Sequence, residues 1–138
     1  MIRKIILPLI MQLAAVSIAH GETGPDIQEG LWEITVEIEI AGMPMKMPAS
    51  THTQCIRKDN AVPRSAQPDG ACTPKNVHIK GNTVSWTVTC DNPGGKMTGK
   101  GIIIYHQDKM DGHMKMEGQG MNMTTHFKGH YIGDCKQQ

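Results

Sequence analysis

The sequence predicts an all-β chain: a small antiparallel meander, barrel-like or a curved sheet, closed by two disulfides. Three observations lead there. Residues 31–40 alternate strictly, with Trp32, Ile34, Val36, Ile38 and Ile40 on one side and Glu33, Thr35, Glu37 and Glu39 on the other. That is the pattern of a strand with one buried and one wet face. Beyond it, turn residues recur every 8–12 residues or so, with no helical apolar period between them. Four cysteines, Cys55, Cys72, Cys90 and Cys135, follow a segment with the marks of an export leader.

That leader is the first element. Arg3 and Lys4 precede an apolar run over 5–19 that ends in small residues, with cleavage expected after Ala19 or Gly21. Residues 1–21 therefore read as a cleaved secretory signal peptide and 22–138 as one antiparallel β domain. The run contains Pro8 and Gln12 and falls short of the ~20 apolar residues of a spanning helix. No cysteine near the cleavage point offers a lipid anchor. The expectation is a periplasmic protein with no stable membrane anchor, in an oxidising compartment. Basic and acidic side chains are nearly balanced, 14 against 13, with no basic block, so nucleic acid is not an expected partner. Aromatic residues are scarce, namely Trp32, Trp86, Tyr105, Phe127 and Tyr131, and the nine methionines beyond the leader take over part of the apolar work.

After 31–40, Gly42 and Pro44 end the strand and 51–57 reads as a second one. Residues 59–74 read as a long loop, with at most one helical turn at Asp59, Asn60 and Ala61; loops of this length are usually functional or tied down. Gly81-Asn82 marks a hairpin between 76–80 and 83–90, in a type II′ turn with glycine at the first central position. That register sets Val77 opposite Trp86 and Ile79 opposite Val84, all on one apolar face. Extended outward, it brings Cys72 within a residue of the partner of Cys90, with Pro74 demanding a break or bulge. This favours Cys72–Cys90, which leaves Cys55–Cys135; Cys55–Cys72 is the competing pairing. A thiolate metal site is the rival to disulfides, but it wants closely spaced cysteine pairs and the gaps here are wide. Asn92-Pro93-Gly94-Gly95 is a turn, 97–106 a strand, Asp108 and Asp111-Gly112 a further turn, and 113–117 a short strand. Gly118-Gln119-Gly120 is a turn or bulge and 121–131 the final long strand. Gly99-x-Gly101 fits a bulge or sharp strand bend.

The order of these features is familiar. Gly30-Leu31-Trp32-Glu33, a Gly-Met-Pro segment at Met43 and Met45, Cys55, Cys72, Gly81-Asn82-Thr83-Val84-Ser85-Trp86, Cys90, a Gly-Gln-Gly before Met121 and a closing Ile132-Gly133-Asp134-Cys135 span nearly the whole mature chain. Together they resemble the bacterial exported family of unknown function called DUF3617. The resemblance implies a periplasmic protein with no established activity and no catalytic residues to carry over. Members often place a basic residue before the final Ile-Gly-x-Cys; Tyr131 stands there in this chain.

Candidate chemistry centres on Met-x-Met: Met43-Pro44-Met45-Lys46-Met47, Met114-Lys115-Met116 and Met121-Asn122-Met123. On a strand, residues i and i+2 share a face ~7 Å apart, and two thioethers at that spacing suit Cu(I) or Ag(I). The corresponding metal set is Met114, Met116, Met121 and Met123, with His113 as a nitrogen ligand. The structural reading has more weight: alternating Met is what a strand carries when Met replaces Leu or Val on its buried face. His126 and His130 stand ~13 Å apart on a strand, too far to share one ion, and read with Asn122, Thr124 and Lys128 as a wet face. Glu33, Glu37 and Glu39 read as a solvated strand face rather than an acid/base pair. No Gly-x-Ser-x-Gly, His-Glu-x-x-His, phosphate loop or dinucleotide fingerprint is present. The expectation is a non-enzymatic periplasmic accessory or binding protein that holds a small apolar ligand in the mouth of the barrel, with no cofactor. The alternatives are a Cu(I)/Ag(I) binder on the Met pairs and an envelope module that adds a strand to a partner protein.

Overall fold

Seven strands account for most of residues 27–64 and 72–136, the part of the chain that the computed structural model describes. The expected leader at 1–21 and the centre of the 59–74 loop lie outside the described residues. In chain order the strands are β1 (Gly30–Ile40), β2 (Ser50–Ile56), β3 (Cys72–Lys80), β4 (Thr83–Asn92), β5 (Gly95–His106), β6 (Lys109–Gly118) and β7 (Met121–Gly133). They form one antiparallel sheet in the order β2-β1-β7-β6-β5-β4-β3. β3 to β7 is a meander of hairpins. The only rearrangement is that the last strand turns back to pair with the first.

The alternation seen in the sequence is the alternation of burial. Trp32, Ile34 and Val36 of β1 are buried, as are Val84, Trp86, Val88 and Cys90 of β4, Ile103 and Tyr105 of β5, Met110, Met114 and Met116 of β6, and Phe127 of β7. All of them point to one face. A single sheet can bury that face only by curling on itself, and ring contacts record the curl. The Trp32 and Tyr105 rings lie 5.6 Å apart edge to face, although β1 and β5 are three strand spacings apart, roughly 14 Å across a flat sheet. Trp86 and Phe127 meet in the same way at 6.4 Å. The result is a curled half-barrel whose concave side is the core.

The Gly81-Asn82 hairpin has the expected glycine at positive φ (60°), as the first central position of a type II′ turn requires. Ile79 pairs with Val84 as read from the sequence. The facing of Val77 and Trp86 does not survive as a simple pair. Lys75 pairs with Thr87 and His78 with Ser85, so Asn76 and Val77 together face Trp86 in a β-bulge. Asn76 takes φ 51°, and its side-chain amide donates to Thr87 Oγ1 at 3.1 Å. The one-residue slip sets Cys72 directly opposite Cys90, and the two form a disulfide; Cys55 and Cys135 form the other. The bulge lies two residues beyond Pro74, which stays in register with Val88 because β3 is an edge strand and its amide side needs no partner.

Further expectations are corrected. β3 begins at Cys72 inside the span read as loop, because pairing with β4 continues past Pro74. At Asp59, Asn60 and Ala61 the limit of one helical turn holds, since Asp59 lies in a turn closed by the Arg57–Asn60 bridge. Asp111-Gly112 is not a turn: the chain reverses at Gln107-Asp108, and both residues sit inside β6, with Gly112 facing Ile103. Nor are Gly99 and Gly101 bulges, since β5 pairs in unbroken register with β4 and β6. They make room instead: a Cβ on Gly101 would overlap the Trp86 ring.

Candidate functional site

The two ends of the concave face differ. At one end the segment after β2 folds inward. Buried Ala61 accepts a hydrogen bond through its carbonyl from the Tyr105 hydroxyl at 2.6 Å. Gln54, itself buried, donates to the Val62 carbonyl at 3.2 Å and accepts from the Arg64 amide at 2.8 Å. Trp32 Nε1 donates to the Gln28 carbonyl at 2.9 Å, and Ile27 packs beside it. Burial pushes the Tyr105 phenol well above its ordinary range, the mark of a hydroxyl sealed from water. His52, on the concave side of β2 opposite Ile34, is held below its usual value, chiefly by burial and then by the Arg64 charge. This end is plugged.

The other end carries methionine. The register places Met116 of β6 directly opposite Met123 of β7, and Met123 opposite Ile40 of β1. In the next row outward, Gly118 faces Met121, and a Cβ on Gly118 would press on Met97 of β5. Met97 and Met116 are buried, Met123 is half-buried, and Met121 is 44 % exposed. β2 stops at Ser50 opposite Val36, so no strand pairs with β1 beyond it on that side and Ile38 and Ile40 stay half-exposed. The β1–β2 connection carrying the exposed Met43, Met45 and Met47 leaves from this same end, where Ala41 N donates to Asn122 O at 2.9 Å. This end of the concave face is thus lined by thioether and isoleucine side chains, with Met114 one row deeper. Such a surface can wrap a small apolar body, and its sulfurs can ligate a soft cation.

The sequence-derived metal set is only partly gathered. Met116, Met121 and Met123 lie together in two adjacent rows. Met114 lies one row deeper, opposite Thr125 and buried. His113 is on the other face of the sheet, opposite Ile102 and His126. Met97, absent from that set, lies in the same row as Met121, on the other side of Gly118. The signal for it was its parity with Ile103 and Tyr105, together with the Pro93-Gly94 reversal that brings β5 to this end. Among the described residues, no group of three or more His, Cys, Asp or Glu side chains is placed to hold a metal ion.

The outer face is wet, as its polar residues implied. His126 Nε2 lies 3.3 Å from Glu39 and His130 Nε2 3.9 Å from Glu33, both partners on β1. Over β4, β5 and β6 this face holds a cleft of about 650 Å³, with Thr87, Thr98, Lys100, Ile102, His113 and Lys115 among its lining residues.

A family model described as a protein of unknown function, DUF3617, matches residues 27–135. No curated protein and no solved structure matches the chain.

Proposed function

The chain belongs to DUF3617, a family without an assigned function, and from its one-ended half-barrel we propose a non-enzymatic binding protein of the bacterial periplasm that holds a small apolar molecule in the methionine-lined mouth. The observation that carries this reading is the asymmetry of the concave face. One end is sealed by Tyr105, Gln54 and Ala61, while at the other Ile38, Ile40, Met121 and Met123 stay partly open above buried Met97 and Met116. Flexible thioethers adapt to guests of differing shape at low strain, and barrel mouths are a favoured place for small apolar ligands. The two disulfides suit an oxidising compartment. Titration with the apolar dye N-phenylnaphthylamine, followed by dye and tryptophan fluorescence, tests the reading. Saturable binding is expected, weakened about tenfold in Met121→Glu, the cost of ~1.4 kcal/mol when a charge replaces an apolar contact. Dye binding that is absent, or equal in that variant with its circular dichroism unchanged, removes the reading.

A second reading has its own observation: Met116 and Met123 are direct cross-strand neighbours with Met97 and Met121 in the adjoining row. These four thioethers, rather than Met114 and His113, are the donors for Cu(I) or Ag(I). Competition of the purified protein with a Cu(I) chelator decides it. An affinity no tighter than micromolar ends the metal reading and leaves the apolar one standing.

A further inference from the structure

We propose that the outer face of the sheet, opposite the methionine mouth, binds a phosphate-type oxyanion between Lys100 of β5 and Lys115 of β6. The two lysines are direct cross-strand partners. Side chains so placed have Cβ atoms ~5 Å apart, and like charges there destabilise the sheet. Elsewhere on this face the registers set charge against polar, apolar or opposite groups: Asp91 with Lys96, Asp111 with Lys128, Thr98 with Glu117 and Glu37 with His126. Among the described strand pairs, Lys100–Lys115 is the one place where two formal charges of the same sign face each other.

Among the described residues, neither lysine has an ion-pair partner. The ion pairs of the described residues are Lys96–Asp91, His106–Asp111, His126–Glu39 and His130–Glu33. The one carboxylate in the cleft lining, Glu117, stands two residues along β6 from Lys115 and makes no ion pair with either lysine. The lysines also line the 650 Å³ cleft, together with the Thr98 hydroxyl and the His113 ring. Two ammonium groups, a hydroxyl and an imidazole are donors suited to an oxyanion with two or more charged oxygens. Each ammonium acts as a point charge with three donors. An anion between the lysines turns one repulsion into two attractions. A local rule broken without internal compensation is where a site is to be sought. The shared chemistry is a phosphate group, free in solution or borne on a lipid headgroup.

The test uses the disulfide-bonded protein at low ionic strength. Amide resonances of Lys100, His113 and Lys115 are followed as inorganic phosphate or glycerol phosphate is added, with sodium chloride at matched ionic strength as the reference. A saturable shift with phosphate alone is expected, and Lys100→Gln/Lys115→Gln weakens it about tenfold, the loss of one or more charge-assisted bonds. Lys96→Gln, whose partner is Asp91, leaves it unchanged. Both lysines are exposed, so the double variant folds. Its thermal stability, equal to or above that of the parent, confirms relief of the like-charge pair. In a second arm, co-sedimentation with phosphatidic acid–phosphatidylcholine vesicles, but not with phosphatidylcholine alone, assigns the phosphate to a lipid. Its absence assigns a soluble one. No saturable response in either arm, or equal affinity in the double variant, overturns the proposal.

Discussion

Gly101 carries the Trp86 ring on its backbone, and that contact defines what the residue is for. A side chain there would occupy the space of the indole, so Gly101→Val must displace the largest side chain of β4 or push β5 away from it. Overpacking of this kind costs about 2–3 kcal/mol; a urea melt of Gly101→Val in the Trp32→Phe background should show the loss, with the remaining tryptophan fluorescence shifted to the red. Tyr105 makes a different kind of contribution. Its hydroxyl donates to the Ala61 carbonyl at 2.6 Å, and Tyr105→Phe strands that acceptor at a cost of about 1–2 kcal/mol. The same bond has a pH signature. Above about pH 10 the unfolded chain ionises its tyrosines while the buried Tyr105 phenol stays protonated. The native state then binds more protons, so stability falls as pH rises through that window. Alkaline denaturation should be steeper in the parent than in Tyr105→Phe. Neither contact was legible in the sequence. Gly99-x-Gly101 announced an unusual strand, but which ring lies over it depends on register. The bond from Tyr105 to Ala61 spans 44 residues, and no local pattern encodes it.

The strands themselves were legible, because half-buried strands write their burial as alternation and hairpins write their turns as glycine and asparagine. Trp32-x-Ile34-x-Val36 and Gly81-Asn82 are the clearest cases, and both stand where expected. β6 was harder to delimit, since Met110, Met114 and Met116 replace β-branched residues and Asp111-Gly112 imitates a turn; it is held as a strand by β5 and β7 on either side. The sheet edge was also hidden. Ile79 and Val84 are cross-strand partners on the same face, yet Ile79 is 37 % exposed and Val84 0 %. β3 is an edge strand, paired with β4 alone, and among the described residues its side chains stay exposed from Thr73 to Lys80. Its apolar residues therefore contribute little: Ile79→Thr should change stability by less than about 0.5 kcal/mol, whereas Val84→Thr, which buries a hydroxyl, should cost about 2 kcal/mol. Paired denaturant melts separate the two. Pro74, Lys75, Lys80 and the bulge at Asn76 blunt this edge against further strands, which weighs against β3 as the place where a partner protein would add its own.

Across the whole molecule, the disulfides differ in reach: Cys72–Cys90 spans 18 residues within one hairpin and Cys55–Cys135 spans 80. Loop-closure arguments give the long link about 4.5 kcal/mol and the short one about 3 kcal/mol. Cys55→Ser/Cys135→Ser should therefore lower the midpoint of a denaturant melt further than Cys72→Ser/Cys90→Ser. Register made the short link readable, through Gly81-Asn82 and a bulge expected near Pro74. The long one followed by elimination, because nothing local tells that β7 returns to β1. The place of β7 has a consequence for how the molecule comes into being. β7 lies between β1 and β6, so before it is made an emerging chain holds two parts not yet paired with each other, β1–β2 and β3–β6. They stay strangers until β7 arrives to bridge them. Closure of the sheet therefore waits for β7, and a product cut short before Met121 would carry two tethered but unpaired parts with open flanks, prey to proteases and to one another.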